Sequence, residues 1–252
     1  MKLRILTINM HKGFSIFNRR FVLHELREAI REISADLVFL QEVIGEHHLH
    51  SKHHESWPEE SQYEFLADEI WEEFAYGRNA VYSTGHHGNA LLSKFPITRS
   101  HLHDLSLYHL EQRGLLHCEI ALPGVAQPLH CICTHLNLLA LHRQQQYEMI
   151  ENYIEAQVPS EVPLIMAGDF NDWSNQAETL LAQPLDLFEC HRLQHGKLAK
   201  TFPSFWPVLS LDRIYGRGFD VHQCTTMKQQ PWPRLSDHLP LIAEIELHGT
   251  MD

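Results

Sequence analysis

No stretch of the chain reaches about 18 consecutive apolar residues, so no membrane-spanning helix is expected. Positive charge is not in excess either: 20 Lys and Arg stand against 32 Asp and Glu, a net −12 with histidine neutral. Sequence-independent grip on nucleic acid is electrostatic, so stable binding of DNA or RNA through a basic patch is not expected. An enzyme holding one phosphate through a metal and one or two cations remains compatible with that balance. Cysteine is scarce and odd in number. Cys118, Cys131, Cys133, Cys190 and Cys224 follow no framework spacing. That excludes a disulfide scaffold, gives no reason to expect covalent dimers, and predicts reduced, mostly buried thiols in a monomer. The opening MKLRILTINMHKG lacks the apolar core and cleavage site of a leader, so a cytoplasmic protein is expected. No repeat and no Pro/Gly/Ser-rich linker divides residues 1–252, which predicts a single domain.

What is present is an ordinary apolar share, 44%, and an unusual number of histidines, 21. Apolar runs predict strands at 2–9, 36–42, 90–93, 115–122, 129–134 and 163–168, with short ones near 210–215, 219–226 and 239–247. Cys131 and Cys133 share one strand face. Helical spacing of Phe21, Val22, Leu26, Ile30 and Ile33 predicts a helix capped by Asn18. Further helices are expected over 61–74, with Phe65, Ile70 and Phe74 inward, and over 139–158. The mixture predicts two packed sheets flanked by helices. Glu46 to Glu55 carries five histidines in ten residues and reads as an exposed loop. His86 and His87 read as a polar turn. Trp206, Trp232 and Phe205, in a Pro-rich context, are expected to pack in the core or its rim, with a substrate platform as the alternative.

Chemistry-bearing residues recur where apolar runs end: Asn9, Glu42, His135, Asp169 with Asn171, Asp212, and Asp237 with His238. Strand ends are rigid points from which side chains reach one cleft. Oxygen-rich ligands of this kind suit Mg²⁺ or Mn²⁺ better than zinc. Taken singly, each residue has a plainer reading. Asn9 and Asn89 suit turns, Glu42 a solvated strand edge, Asp169 and Asn171 a helix cap, and Asp212 a surface pair with Arg213. His135 and His238 would pass for core histidines.

In order, however, stand T-I-N at 7–9, L-Q-E at 40–42, G-N-A-L-L-S at 88–93, R-G-L-L at 113–116, T-H-L at 134–136, G-D-F-N at 168–171, L-D-R-I-Y at 211–215 and S-D-H at 236–238. The set resembles the endonuclease/exonuclease/phosphatase superfamily, the DNase I-like metal-dependent phosphoesterases. The resemblance implies a four-layer α/β/β/α sandwich with two mostly antiparallel or mixed sheets and the site at one sheet edge. It implies that Glu42, Asn9 and Asp237 hold Mg²⁺ or Mn²⁺. Asp169 and Asn171 would orient or deprotonate the attacking water. His238, held by Asp212, would stabilise the phosphate charge, and His135 would be a general acid or electrophile. Asn89 and Arg113 would contact the phosphate.

His135 resembles the DNase I, sphingomyelinase and tyrosyl-DNA phosphodiesterase side of the superfamily. His11 stands where repair nucleases usually carry an acid, which argues against an abasic-site nuclease. The N-x-H-K-G opening is similar to that of small bacterial members. The expected substrate is a phosphodiester in a small molecule, a lipid head group or a nucleic-acid end. A nuclease, a catalytically silent binding protein on the same fold, and a metal buffer built on the His-rich loop are the alternatives.

Overall fold

The computed structural model describes residues 1–47, 56–68, 70–82, 84–108 and 111–248. The strands are β1 (Lys2–Asn9), β2 (Leu37–His47), β3 (Glu73–Tyr82), β4 (Gly85–Ser93), β5 (Ile97–Asp104), β6 (Gly114–Ile120), β7 (Leu129–His135), β8 (Leu164–Asp169), β9 (Phe188–Glu189), β10 (Asp212–Arg217), β11 (Phe219–Thr226) and β12 (Leu241–Leu247). They form two six-stranded sheets, ordered β11-β12-β1-β2-β4-β3 and β5-β6-β7-β8-β10-β9. The helices are α1 (Leu23–Ile33), α2 (Gln62–Ala67), α3 (Ala140–Gln157) and α4 (Cys190–His195).

Each sheet holds one parallel pair, β1 with β2 and β7 with β8. Parallel neighbours need a crossover, and α1 and α3 supply it, one on the outer face of each sheet. Period-two alternation then sorts the side chains. Leu3 and Ile5 of β1 face Cys131 and Cys133 of β7 and Ile165 and Ala167 of β8 in the core between the sheets. Leu6 and Ile8 point the other way, onto Leu23, Leu26 and Ile30 of α1. Ile132, Leu164 and Met166 meet Tyr147, Ile150 and Ile154 of α3. The result is the expected α/β/β/α sandwich of four layers, and the five cysteines are free and buried.

Close approach of β7 and β8 depends on Gly168. Its φ is +150°, and a Cβ there would lie 1.9 Å from the Thr134 carbonyl oxygen. Gly168→Ala is therefore expected to cost about 3 kcal/mol and lower the melting temperature by about 6–12 °C. Thermal denaturation followed by circular dichroism checks this; an unchanged midpoint contradicts it.

Several local expectations are corrected. Asn18 does not cap α1: it closes a short turn, Ile16–Asn18, and the helix begins at Leu23 after Val22. Backbone bonds from Ser15 N–H to Arg20 C=O (2.8 Å) and Val22 N–H to Gly13 C=O (2.8 Å) hold the intervening chain as an excursion. Ser61 does start a helix through a capping box with Glu64, but α2 ends at Ala67. Trp71, donating to the Ala35 carbonyl at 2.9 Å, turns the chain across the sheet, and Phe74 enters β3 instead of a helix. His86 and His87 lie in β4, paired with both β2 and β3, and form no turn. Glu46 and His47 belong to β2, while 48–55, most of the His-rich segment, lies outside the described residues. Trp232 is buried as expected, whereas Phe205 and Trp206 stand in solvent.

Candidate active site

The alternation that fills the inter-sheet core with apolar side chains also places the polar ones. Positions 3, 5, 7 and 9 of β1 point inward, as do 129, 131, 133 and 135 of β7 and 165, 167 and 169 of β8. Asn9, His135 and Asp169 are each the last inward residue of a strand. Asp212, opposite Asp169 in register, is the first of β10, and His135 pairs with Asp169 from the other side. Four side chains thus meet at one end of the sandwich because their strands end level there.

Glu42 breaks this pattern. Leu40 and Val43 both pack on the outer face, so two residues of β2, Gln41 and Glu42, oppose one of β4, Asn89, between Leu40 and Val43. The extra residue adopts φ +57°, a left-handed conformation costing on the order of 1–3 kcal/mol for a side chain other than glycine. The bulge turns Glu42 out of the outer layer and into the cleft with Asn9. His238 and Asp237 come from the loop before β12. Ser236 Oγ donates to the Asn9 carbonyl (2.7 Å) and accepts from His238 N–H (3.1 Å), pinning that loop to β1.

The polar groups converge on the Asp169 carboxylate. Oδ2 accepts from Asn9 Nδ2 at 3.1 Å, and His135 Nε2 and His238 Nε2 lie 3.5 and 3.7 Å away. Oδ1 accepts from the Asn171 N–H at 2.9 Å, and Asn171 Nδ2 donates to the Leu136 carbonyl. Asn9 Nδ2 also reaches Glu42 Oε1 at 3.4 Å, so one amide links carboxylates from both sheets. His238 Nδ1 donates to Asp212 Oδ2 at 2.8 Å. Arg113 and Asp237 complete the polar wall of a cleft of about 270 Å³. That volume admits a phosphodiester group and little else of its substrate.

Environment separates the two histidines. Burial would lower His238, but the Asp212 and Asp169 carboxylates outweigh it and raise the imidazole to about 10, so it is charged at neutral pH. Burial takes His135 far below its ordinary value, with Arg113 and His238 pushing the same way, so it is neutral. Burial also raises Asp169, an effect the His238 charge only partly offsets. Glu42 goes the other way: burial is overcome by Lys12 and His11, which keep the carboxylate anionic.

The sequence model of the Endonuclease/Exonuclease/phosphatase family matches residues 6–238, a span containing every residue just described. The chain belongs to that family. Endonuclease/Exonuclease/phosphatase membership supports a hydrolase acting on phosphoester bonds. Relatives include the uncharacterized protein YbhP of Escherichia coli K12 and its Shigella flexneri counterpart, each 48% identical over 244 residues, 97% of this chain and 96% of theirs. An endonuclease/exonuclease/phosphatase from Bacteroides vulgatus superposes with TM-score 0.77 at 18% identity, covering 98% of this chain and all of that one (100%). D. rerio TDP2 complexed with a single-strand DNA product superposes with TM-score 0.71 at 19% identity, covering 97% and 99%.

Within this family member, the structure gathers Asn9, Glu42, His135, Asp169, Asn171, Asp237, His238 and Arg113 at the cleft, with Asp212 behind His238. Asn89 is not among the described lining residues. It is fully buried, and its amide donates to the Gly114 and Cys133 carbonyls (2.9 and 3.3 Å), tying β4 to the opposite sheet. Arg213 makes no pair with Asp212; it is buried and donates to the Asp172 and Ser210 carbonyls, shaping the loop after Asp169. Three residues near the carboxylates had no role assigned from sequence. His11 Nδ1 lies 3.3 Å from Asp237 Oδ1, Lys12 Nζ lies 3.9 Å from Glu42 Oε2, and His87 is held neutral by burial and Lys12, at about 4. The N-x-H-K-G opening was the available signal for the first two; His87 had none.

Two groups of side chains offer metal ligands. Ligand atoms of Asp169, Asp212 and His238 lie within 4.8 Å of one another. There, however, His238 Nδ1 and Asp212 Oδ2 are already engaged with each other at 2.8 Å. Glu42, Asp237 and the side-chain oxygen of Asn9, which also accepts from the His11 N–H, are hard oxygen donors on residues lining the same cleft, and Glu42 is anionic. That donor chemistry fits a small divalent cation.

Proposed function

We propose that the chain is a divalent-metal-dependent phosphodiesterase that cleaves its substrate by attack of water on phosphorus. The observation carrying this reading is Asp169, a buried carboxylate approached by one charged and one neutral histidine in a cleft whose other wall presents Glu42. Titratable neighbours pushed apart in this way are what acid–base assignment requires. Glu42, with Asn9 and Asp237, would hold Mg²⁺ or Mn²⁺, which when bound supplies positive charge to a non-bridging phosphate oxygen.

The protein's own groups do the rest. Asp169, its pKa raised by burial and its orientation fixed by Asn9 and Asn171, orients the water and takes its proton. His238, held protonated and aimed by Asp212, donates a hydrogen bond to the phosphate and neutralises charge as it develops. His135 is neutral, which favours the role of hydrogen-bond donor to the phosphate over that of general acid. Arg113, which donates to Glu111 Oε1 at 3.3 Å, adds a second cation. A silent binding protein would have no use for a charged His238 poised against Asp169.

A nuclease is the second reading, favoured by the likeness to D. rerio TDP2 with its single-strand DNA product. The net charge of −12 stands against tight nucleic-acid binding. The test of the first reading is hydrolysis of bis-p-nitrophenyl phosphate. EDTA is expected to abolish the rate, and excess Mn²⁺ or Mg²⁺ to restore it. A rate indifferent to EDTA contradicts metal dependence, and no hydrolysis of any phosphodiester under any metal contradicts the whole reading.

A further inference from the structure

We infer that the mouth of the cleft is a lipid-facing surface, and that the phosphodiester cleaved belongs to a membrane lipid. The inference rests on the phosphodiesterase reading and names its substrate class. Beside its polar groups, the cleft is lined by Leu138, Trp173, Phe202, Leu209 and Leu211, with the Phe202 ring 4.9 Å from that of His238. The apolar lining continues outward along two segments.

Phe202 and Leu209 exchange backbone hydrogen bonds (3.2 and 2.8 Å) and close a hairpin. Its tip carries Phe205 and Trp206, 62% and 72% exposed, followed by Val208. On the other segment Leu138, Leu139 and Leu141 are exposed, Leu141 at 68%. The backbone beneath them is fixed, because Arg143 donates to the Asn137 and Leu138 carbonyls. These side chains therefore stand in water on ordered backbone. Soluble proteins seldom leave such surface uncovered without a use for it.

Charge selects the occupant. Residues 203–208 (PSFWPV) and 136–141 (LNLLAL) contain no ionisable side chain in a chain that is 21% charged. Among the described lining residues Arg113 is the sole Lys or Arg, so a polyanionic backbone finds little to hold it. A lipid assembly matches the layout. Its hydrocarbon accepts Leu and Phe, its interface favours Trp, and its phosphodiesters lie at the depth of the polar wall. In the reaction the oxygen of water bonds to phosphorus and one P–O ester bond breaks. The proton leaves with the departing alkoxide, giving a phosphomonoester and an alcohol.

The test uses wild type and the double variant Phe205→Ser/Trp206→Ser, both checked for folding by circular dichroism. Neither residue touches the polar wall, so bis-p-nitrophenyl phosphate hydrolysis is expected to stay within about twofold. Wild type should float with phosphatidylcholine vesicles at low and high salt alike, and the variant at least about tenfold less. Wild type, not the variant, should release phosphomonoester from vesicles of mixed phosphatidylcholine, phosphatidylethanolamine and phosphatidylglycerol. Absence of flotation, equal flotation of the variant, or no release from these vesicles overturns the inference. So does weakened binding of a single-stranded oligonucleotide by the variant with no vesicle binding, which would make the tip a nucleobase platform. Flotation that depends on the tip, in a protein inactive on bis-p-nitrophenyl phosphate, would keep the docking surface and overturn the phosphodiesterase reading.

Discussion

Asp169→Ala is expected to lower hydrolysis of bis-p-nitrophenyl phosphate at least about a hundredfold, and toward a thousandfold, with folding intact. Removing a positioned general base costs about 10²–10⁴ in rate, and removing one charge-stabilising group costs about 10²–10³. Asp169 combines these functions, because Asn9 and the Asn171 N–H bond its two oxygens while His135 and His238 lie 3.5 and 3.7 Å from one of them. The fold does not depend on its charge, since burial disfavours the ionised form. Asp169→Asn should therefore be as inactive as the alanine variant while keeping wild-type melting. His238→Ala should lose at least about a hundredfold as well. The double variant should fall little below the worse single one, because groups acting as a unit are not additive. Steady-state rates on the four variants check this; a loss below about tenfold in Asp169→Ala removes the carboxylate from the chemistry.

Glu42→Gly is expected to move activity and stability in opposite directions. Activity should fall to the level seen in EDTA, because the principal anionic oxygen donor is gone. Stability should rise by about 1 kcal/mol, a gain of about 2–4 °C in melting temperature, because glycine adopts φ +57° without strain. Two further effects act on the same balance. The substitution removes a carboxylate whose burial cost Lys12 and His11 more than offset, together with its 3.4 Å contact to Asn9 Nδ2, and both losses reduce the gain; the 3.9 Å pairing with Lys12 is partly exposed and contributes little. Glu42→Ala, which keeps the strain, should be equally inactive without the gain. A glycine variant that melts below wild type would show that the bulge is held by Glu42 contacts and is not a strained conformation kept for function.

Most of the site was legible because it follows from periodicity. The inward sets 3-5-7-9, 129-131-133-135 and 165-167-169 are visible as alternation, and a polar residue ending each set marks where the core opens to water. Glu42 was legible only from its motif, since the bulge that aims it leaves no signature other than one extra residue between Leu40 and Val43. Asn89 is the opposite case. Its motif marks it, but its amide is spent on two carbonyls of the facing sheet, a contact between segments that spacing cannot show.

Secondary structure failed where two periods coincide. Phe65, Ile70 and Phe74 suit a helix face, yet α2 ends at Ala67 because Trp71 is anchored to Ala35 at 2.9 Å, a tertiary contact. Strand β5 went unrecognised because ITRSHLHD is an exposed edge with little apolar content. Phe205 and Trp206 were expected to pack and instead stand free, and only the hairpin closed by Phe202 and Leu209 explains how they do so.

One cleft is divided between a proposed metal-holding wall at Glu42 and a proton-holding wall at Asp169, Asp212 and His238. Mn²⁺ binding followed by electron paramagnetic resonance, with wild type, Glu42→Gln and Asp212→Asn side by side, tests that division without any substrate. Glu42→Gln is expected to weaken Mn²⁺ at least about tenfold while Asp212→Asn binds as wild type does. Loss of binding in Asp212→Asn with retention in Glu42→Gln would place the metal on the Asp169–Asp212–His238 group and contradict it.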